Sequence, residues 1–142
     1  YYKLSDYFSN YTTKKTVMTM GVDNLIKVFE DKYYYNLSGG ILEAFGKLFK
    51  HNIEIYLYPL IKGEKLIDSS NLQVEDNMKN LYKYFKDNNK IRDIENFNKS
   101  LLSIYSWEVL EEIKNNSPGW EQKLPEAISK LIKEKKLFGY SN

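Results

Sequence analysis

Ile53-Glu54-Ile55-Tyr56-Leu57-Tyr58-Pro59 decides the fold. Ile53, Ile55 and Leu57 alternate with Glu54, Tyr56 and Tyr58, the period of a strand with one buried face. Pro59 has no N–H to donate, so pairing weakens there. Directly upstream, Ile41, Leu42, Phe45, Leu48 and Phe49 recur at helical spacing and predict a helix with one apolar face. His51-Asn52 closes that helix. A helix leading into a strand is the second half of a strand–helix–strand unit, and the first half lies nearby. Thr16-Val17-Met18-Thr19-Met20 is β-branched and apolar, stops at Gly21, and reads as a buried strand.

The rest of the chain extends this pattern. Leu4, Tyr7, Phe8 and Tyr11 predict a helix over 1–11. Val22, Leu25, Ile26 and Phe29 predict another to about residue 34, broken by the Asn36–Gly40 turn. Lys62-Gly63-Glu64-Lys65 is a turn, Leu66-Ile67 a short return strand, and 68–76 a polar loop. Met78, Leu81, Tyr82 and Phe85 mark a helix, and 90–95 a third strand. Ser106 is the expected N-cap of a helix burying Val109, Leu110 and Ile113. Asn115-Asn116-Ser117-Pro118-Gly119 breaks it. Pro125 opens a last helix with Ala127, Ile128, Leu131 and Ile132 inward, after which Leu137-Phe138 docks back. Strands separated by helices predict an α/β fold: a small mixed or parallel three-stranded sheet flanked by several helices, helix-dominated.

Composition narrows the class. The chain has 142 residues, 42% hydrophobic and 28% charged, within the range of soluble globular proteins and sufficient for a core. It reads as a single domain, 1–142. The net charge of +2 indicates neither nucleic acid nor an anionic membrane as partner. There is no cysteine, which excludes disulfides, thiolate metal sites and cysteine nucleophiles and fits a reducing, cytoplasmic setting. No apolar run reaches the ~20 residues of a membrane span. The start at Tyr1-Tyr2-Lys3, without Met, suggests a fragment of a longer protein. Abundant Tyr, Asn and Lys fit an AT-rich genome or, alternatively, a tyrosine-lined binding surface.

Two glycine turns are the candidate ligand sites. Ser38-Gly39-Gly40 opens the 41–49 helix, where unpaired N–H groups and the helix dipole favour an anion. Glu43, one turn on, can face this turn. The same residues also serve as a plain turn with Ser38 as N-cap. Gly21 lies at the carboxyl end of the first strand, where α/β sheets bind ligands and Asp23 or Asn24 can touch one, or it forms an ordinary turn with Asp23 capping the helix. Tyr33-Tyr34-Tyr35 cannot all face one core, so at least one ring is exposed as an interaction surface. His51 is the only histidine. It cannot form a histidine pair for a metal, and it lies where a solvated histidine is usual. Asp93 and Glu95 share a strand face. No cofactor and no metal ligand set is expected.

Met20-Gly21-Val22, Phe29 to Tyr34, Leu37 to Phe49, Ile55 to Pro59, Trp120-Glu121, Leu124-Pro125 and Ile132 to Tyr140 together resemble the C-terminal region of a family of large bacterial cytosolic proteins. Its members carry labels such as nicotinate-nucleotide adenylyltransferase or TonB-related protein. The likeness covers nearly the whole chain. It implies that the chain is the C-terminal fragment of a longer protein, an accessory or protein-interaction domain whose partners are other domains of the same polypeptide or a second copy. The alternative it implies is a nucleotide- or phosphate-binding part of a larger enzyme. Adenylyltransferases of that kind hold the triphosphate with an HxGH-type motif, which is absent, so no catalytic residue carries over.

Overall fold

The structure is a computed structural model and describes residues 1–141. Where the sequence reads as one domain, the chain gathers into two compact units, Tyr1–Phe97 and a second beginning at Asn98.

The first unit holds α1 (Tyr2–Ser9), β1 (Thr16–Gly21), α2 (Val22–Val28), α3 (Gly40–Phe49), β2 (Ile53–Tyr58), β3 (Leu60–Lys62), β4 (Lys65–Ile67), α4 (Lys79–Asp87) and β5 (Ile91–Asp93). β1, β2 and β5 form a parallel sheet in that order. β3 and β4 form a separate antiparallel hairpin, Leu60 opposite Ile67, after Pro59 ends the β1–β2 ladder at Tyr58. The α/β, helix-dominated architecture is as the sequence predicts, with all three main strands parallel.

The strand order never reverses. Right-handed crossovers stepping in one direction place every connecting helix on the same face. Accordingly Leu25 of α2, Phe45 of α3 and Phe85 of α4 share one core with Met18, Met20, Ile53, Ile55 and Leu57. Phe45 lies at its centre, 4.8 Å from Phe29 and 5.0 Å from Phe85 between ring centroids. Offset aromatic pairs of this kind stabilise by ~0.5–1.5 kcal/mol beyond area burial. The other sheet face carries Val17, Thr19, Glu54, Tyr56 and Arg92. Glu54 is held there by Lys15, with Nζ 2.7 Å from its carboxylate. Parallel sheets usually bury both faces and read as continuous apolar runs. The alternation in β2 is the mark of this one-sided sheet.

Several expectations need correction. α2 ends at Val28, and a 3-10 turn at Asp31–Tyr33 replaces its last turn. Leu42 is exposed, and Ala44 takes its place on the buried stripe of α3. The 68–76 loop is not merely solvated, since Ser69, Leu72 and Val74 are buried.

In α1 the apolar stripe points outward. Leu4, Tyr7 and Tyr11 are 43, 55 and 71% exposed, while Ser5 is fully buried. A serine fits where two helices approach too closely for a large side chain. The Ser5 hydroxyl also supplies a donor to a carbonyl in the last turn of α3, where intrahelical donors run out.

The second unit is a helical pair, α5 (Ser106–Lys114) and α6 (Glu126–Lys135). Its core is Val109, Ile113, Trp120 and Ile132, edged by Leu124, Leu137 and Tyr140. Gly119, at φ +97°, turns the chain so that Trp120 enters this core. Tyr105, not Ser106, is the N-cap of α5. On α6 the inward residues are Ser129 and Ile132. Ala127, Ile128 and Leu131 are exposed, as is Phe138.

Candidate functional site

The Ser38–Gly40 turn is built by successive short-range bonds. Leu37 N donates to Tyr34 O at 2.9 Å and Gly40 N to Leu37 O at 3.0 Å. Gly40 sits at φ +54°, a conformation glycine adopts without the Cβ penalty. Gly39, rather than Ser38, is the N-cap of α3, and Ser38 is exposed one position before it.

Glu43 folds back over the turn. Its Oε2 accepts from Gly39 N at 2.9 Å, and its backbone N donates to Gly39 O at 3.2 Å. Its Oε1 accepts from Lys47 Nζ at 2.6 Å. The Lys47 ammonium and then the Gly39 N–H hold this carboxyl below the usual glutamate range. Gly39, Gly40 and Glu43 are therefore brought together, and the N-terminus of α3 already has an anion, a side chain of its own helix. An external phosphate or carboxylate at Gly39 has to displace it.

Gly21 and Asp23 lie at the carboxyl end of β1 and share no hydrogen bond with that turn among the described residues. Gly21 is the N-cap of α2 in an extended conformation, and the Asp23 side chain makes no capping bond. A ligand crevice in an open α/β sheet forms where strand order reverses. This sheet has no reversal, so the end of β1 lacks the geometry that makes such positions binding sites.

The tyrosine run divides as its sequence requires. Tyr34 is buried, and its hydroxyl donates to Val28 O at 2.7 Å. Burial pushes that phenol up to about 12. Tyr33 and Tyr35 point outward at 53 and 79% exposure, and Lys32 Nζ stands 5.1 Å from the Tyr33 ring. Tyr33 and Tyr34 join Tyr1, Tyr2, Asn24 and Lys27 around a cleft of about 290 Å³. Sequence reasoning named Asn24 only as a ligand contact at the end of β1, and missed Tyr1, Tyr2 and Lys27. Asn24 and Lys27, at i and i+3 on the polar side of α2, were the available signal.

Asp93 ends β5 and is already engaged. Its carboxylate accepts from Ser69 N at 2.8 Å and Ser69 Oγ at 2.6 Å, and Ser69 O accepts from Tyr82 OH at 2.7 Å. A larger cleft of about 600 Å³ runs beside β5, with Lys86, Arg92, Asp93 and Glu95 among its residues. Its mixed charges favour neither sign of ligand. His51 Nε2 is 3.6 Å from Asp6 Oδ1 near the surface. Among the described residues no group of three or more His, Asp or Glu side chains converges to hold a metal ion. No helix among them is long and apolar enough to cross a membrane.

Comparison with protein-family models, with curated proteins and with solved structures finds no match to this chain.

Proposed function

We propose that this chain is a non-catalytic interaction domain, and that it docks against another folded part of a larger bacterial cytosolic polypeptide. The observation that carries this reading is the orientation of α1. A surface helix ordinarily turns its apolar stripe to the core. Here Tyr2 and Ser5 face the core, while Leu4, Tyr7 and Phe8, with Tyr11 just beyond the helix, face out. The rings form a continuous patch, with Tyr7 5.8 Å from Phe8 and 5.0 Å from Tyr11. Grouped exposed aromatics mark association surfaces more often than scattered ones. Tyr33 and Tyr35 add a second aromatic group. The resemblance to the C-terminal region of large proteins supplies the occupant: a neighbouring domain of the same polypeptide.

The competing reading is a nucleotide or phosphate ligand at Ser38-Gly39-Gly40. It requires that the incoming anion displace Glu43 from the helix start.

Oxidative footprinting separates the two. Tyr7, Tyr11, Tyr33 and Tyr35 are expected to react readily in the isolated chain and to be protected in the longer polypeptide, with buried Tyr34 and Tyr82 as unreactive controls in both. Equal reactivity of Tyr7 and Tyr11 in the two contexts overturns the docking reading. Calorimetric binding of ATP to the isolated chain, abolished by Gly40→Val, establishes the other.

A further inference from the structure

β1 is an edge strand, and its hydrogen-bonding phase is fixed. Thr16 N donates to Asn52 O at 3.1 Å, and the ladder runs from Thr16 opposite Ile53 to Gly21 opposite Tyr58. Along a strand, successive residues direct their N–H and C=O to opposite sides. Thr16, Met18 and Met20 therefore serve β2, and Val17, Thr19 and Gly21 point away from it. The same logic holds across the sheet. Ile55 N donates to Lys90 O at 2.8 Å and Leu57 O accepts from Ile94 N at 2.9 Å, so β2 is satisfied on both sides. β1 is satisfied on one. No hydrogen bond within the first unit reaches the outward N–H and C=O of Val17 and Thr19.

Edge strands are normally protected by shortness, a proline, a bulge or a charge within the strand. β1 has six residues, Thr-Val-Met-Thr-Met-Gly, and none of these devices. Its charges flank it instead. Lys14 precedes the strand and Asp23 lies two residues beyond its end. Both are exposed, and neither forms an ion pair among the described residues. Lys15, by contrast, is engaged by Glu54.

We propose that β1 pairs antiparallel with β1 of a second copy of this chain about a two-fold axis, joining two three-stranded sheets into one of six strands. The flanking charges select this occupant and this direction. An antiparallel two-fold lays the Lys14 end of one strand along the Asp23 end of the other, whereas parallel pairing sets lysine beside lysine. The outward residues are all odd-numbered, so either Val17 faces the partner's Thr19 or Thr19 faces the partner's Thr19. In both registers the basic end of one strand runs beside the acidic end of the other, with Lys14 in the bend before β1 and Asp23 in the first turn of α2. This inference is independent of the docking face on α1.

Sedimentation velocity on the full chain tests it, with a concentration-dependent dimer expected. Thr19→Pro removes an outward N–H and leaves the β1–β2 bonds intact, so it is expected to give a folded monomer by circular dichroism. Lys14→Glu and Asp23→Lys each set like charges together and are expected to weaken the dimer about tenfold, while the double variant restores it. A wild-type chain that stays monomeric throughout the concentration range overturns the proposal. So does a dimer insensitive to the charge variants, which decide the matter if the proline unfolds the sheet.

Discussion

The hydroxyl of Ser5 donates a 2.8 Å hydrogen bond to the carbonyl of Leu48, joining α1 to the last turn of α3. Ser5 is fully buried there. Ser5→Ala leaves that carbonyl without its donor and is expected to cost ~1–2 kcal/mol. Ser5→Leu forces bulk between the two helices and is expected to cost ~1–3 kcal/mol. Urea unfolding measures both, and an alanine variant as stable as the parent refutes the role given to this bond.

Three glycines are expected to respond differently to alanine. At Gly39 a Cβ stands 2.9 Å from the Glu43 Cβ, so the substitution pushes away the side chain that caps α3. At Gly40 the cost is conformational, since φ is +54°, and ~1 kcal/mol is expected. At Gly21 a Cβ meets nothing within 4 Å and φ is −78°, so Gly21→Ala is expected to stabilise by ~0.4–1 kcal/mol. Melting temperatures should place Gly21→Ala above the parent and the other two below it.

These positions also show what was legible in the sequence. The alternation of 53–58 and the β-branched run at 16–20 gave both long strands, because a period of two survives without knowledge of the partner. The direction in which α1 faces could not be read. Its stripe has ordinary helical spacing, and the choice between Ser5 and Tyr7 for the inward side is made by how closely α3 approaches. The same holds for α6, where Ile128 and Leu131 share the pattern of Ile132 yet stay exposed. At the candidate site the sequence identified Gly39, Gly40 and Glu43. It could not tell that Glu43 itself occupies the helix start, since a four-residue spacing permits that contact without requiring it. The link from Ser69 to Asp93 spans 24 residues and leaves no local trace.

Asp93→Ala is expected to destabilise the first unit by ~1–3 kcal/mol, because the Ser69 N–H is buried and loses its acceptor. Asp93→Asn keeps an acceptor oxygen and should cost less. Tyr82→Phe removes the bond to Ser69 O and should cost ~1 kcal/mol. Since both act on one loop, the double variant Asp93→Ala/Tyr82→Phe is expected to be less destabilised than the two single effects predict together. Strict additivity in denaturant titrations disproves the coupling.

The pH response has two limbs of opposite sign. The Glu43 carboxyl is held low by Lys47 and by Gly39 N–H, so its contribution is full above the ordinary glutamate value of 4.5 and is lost as the pH falls through its folded value. The stability gap between the parent and Glu43→Gln should therefore close on acidification. Tyr34 is raised from 10.0 to about 12, so stability is full below pH 10 and drains as the pH rises toward 12. Tyr34→Phe should lessen that alkaline limb, to which Tyr82, also raised by burial, contributes too, and sacrifice ~1 kcal/mol at neutrality with the bond to Val28. A Phe variant with an unchanged alkaline limb contradicts the assignment.

The position of β2 between its neighbours has a consequence for the order in which the chain matures. β2 completes synthesis long before β5 exists, and until residues 90–94 emerge, Ile55 N lacks its acceptor on Lys90 and Leu57 O its donor on Ile94. The side chains of Ile55 and Leu57 are fully buried in the finished sheet. A ribosome-bound chain that ends before residue 91 thus exposes the most apolar strand of the protein along an open edge. Closure of the sheet waits for β5, and the shortest fragment that supplies these partners of β2 runs through residue 94.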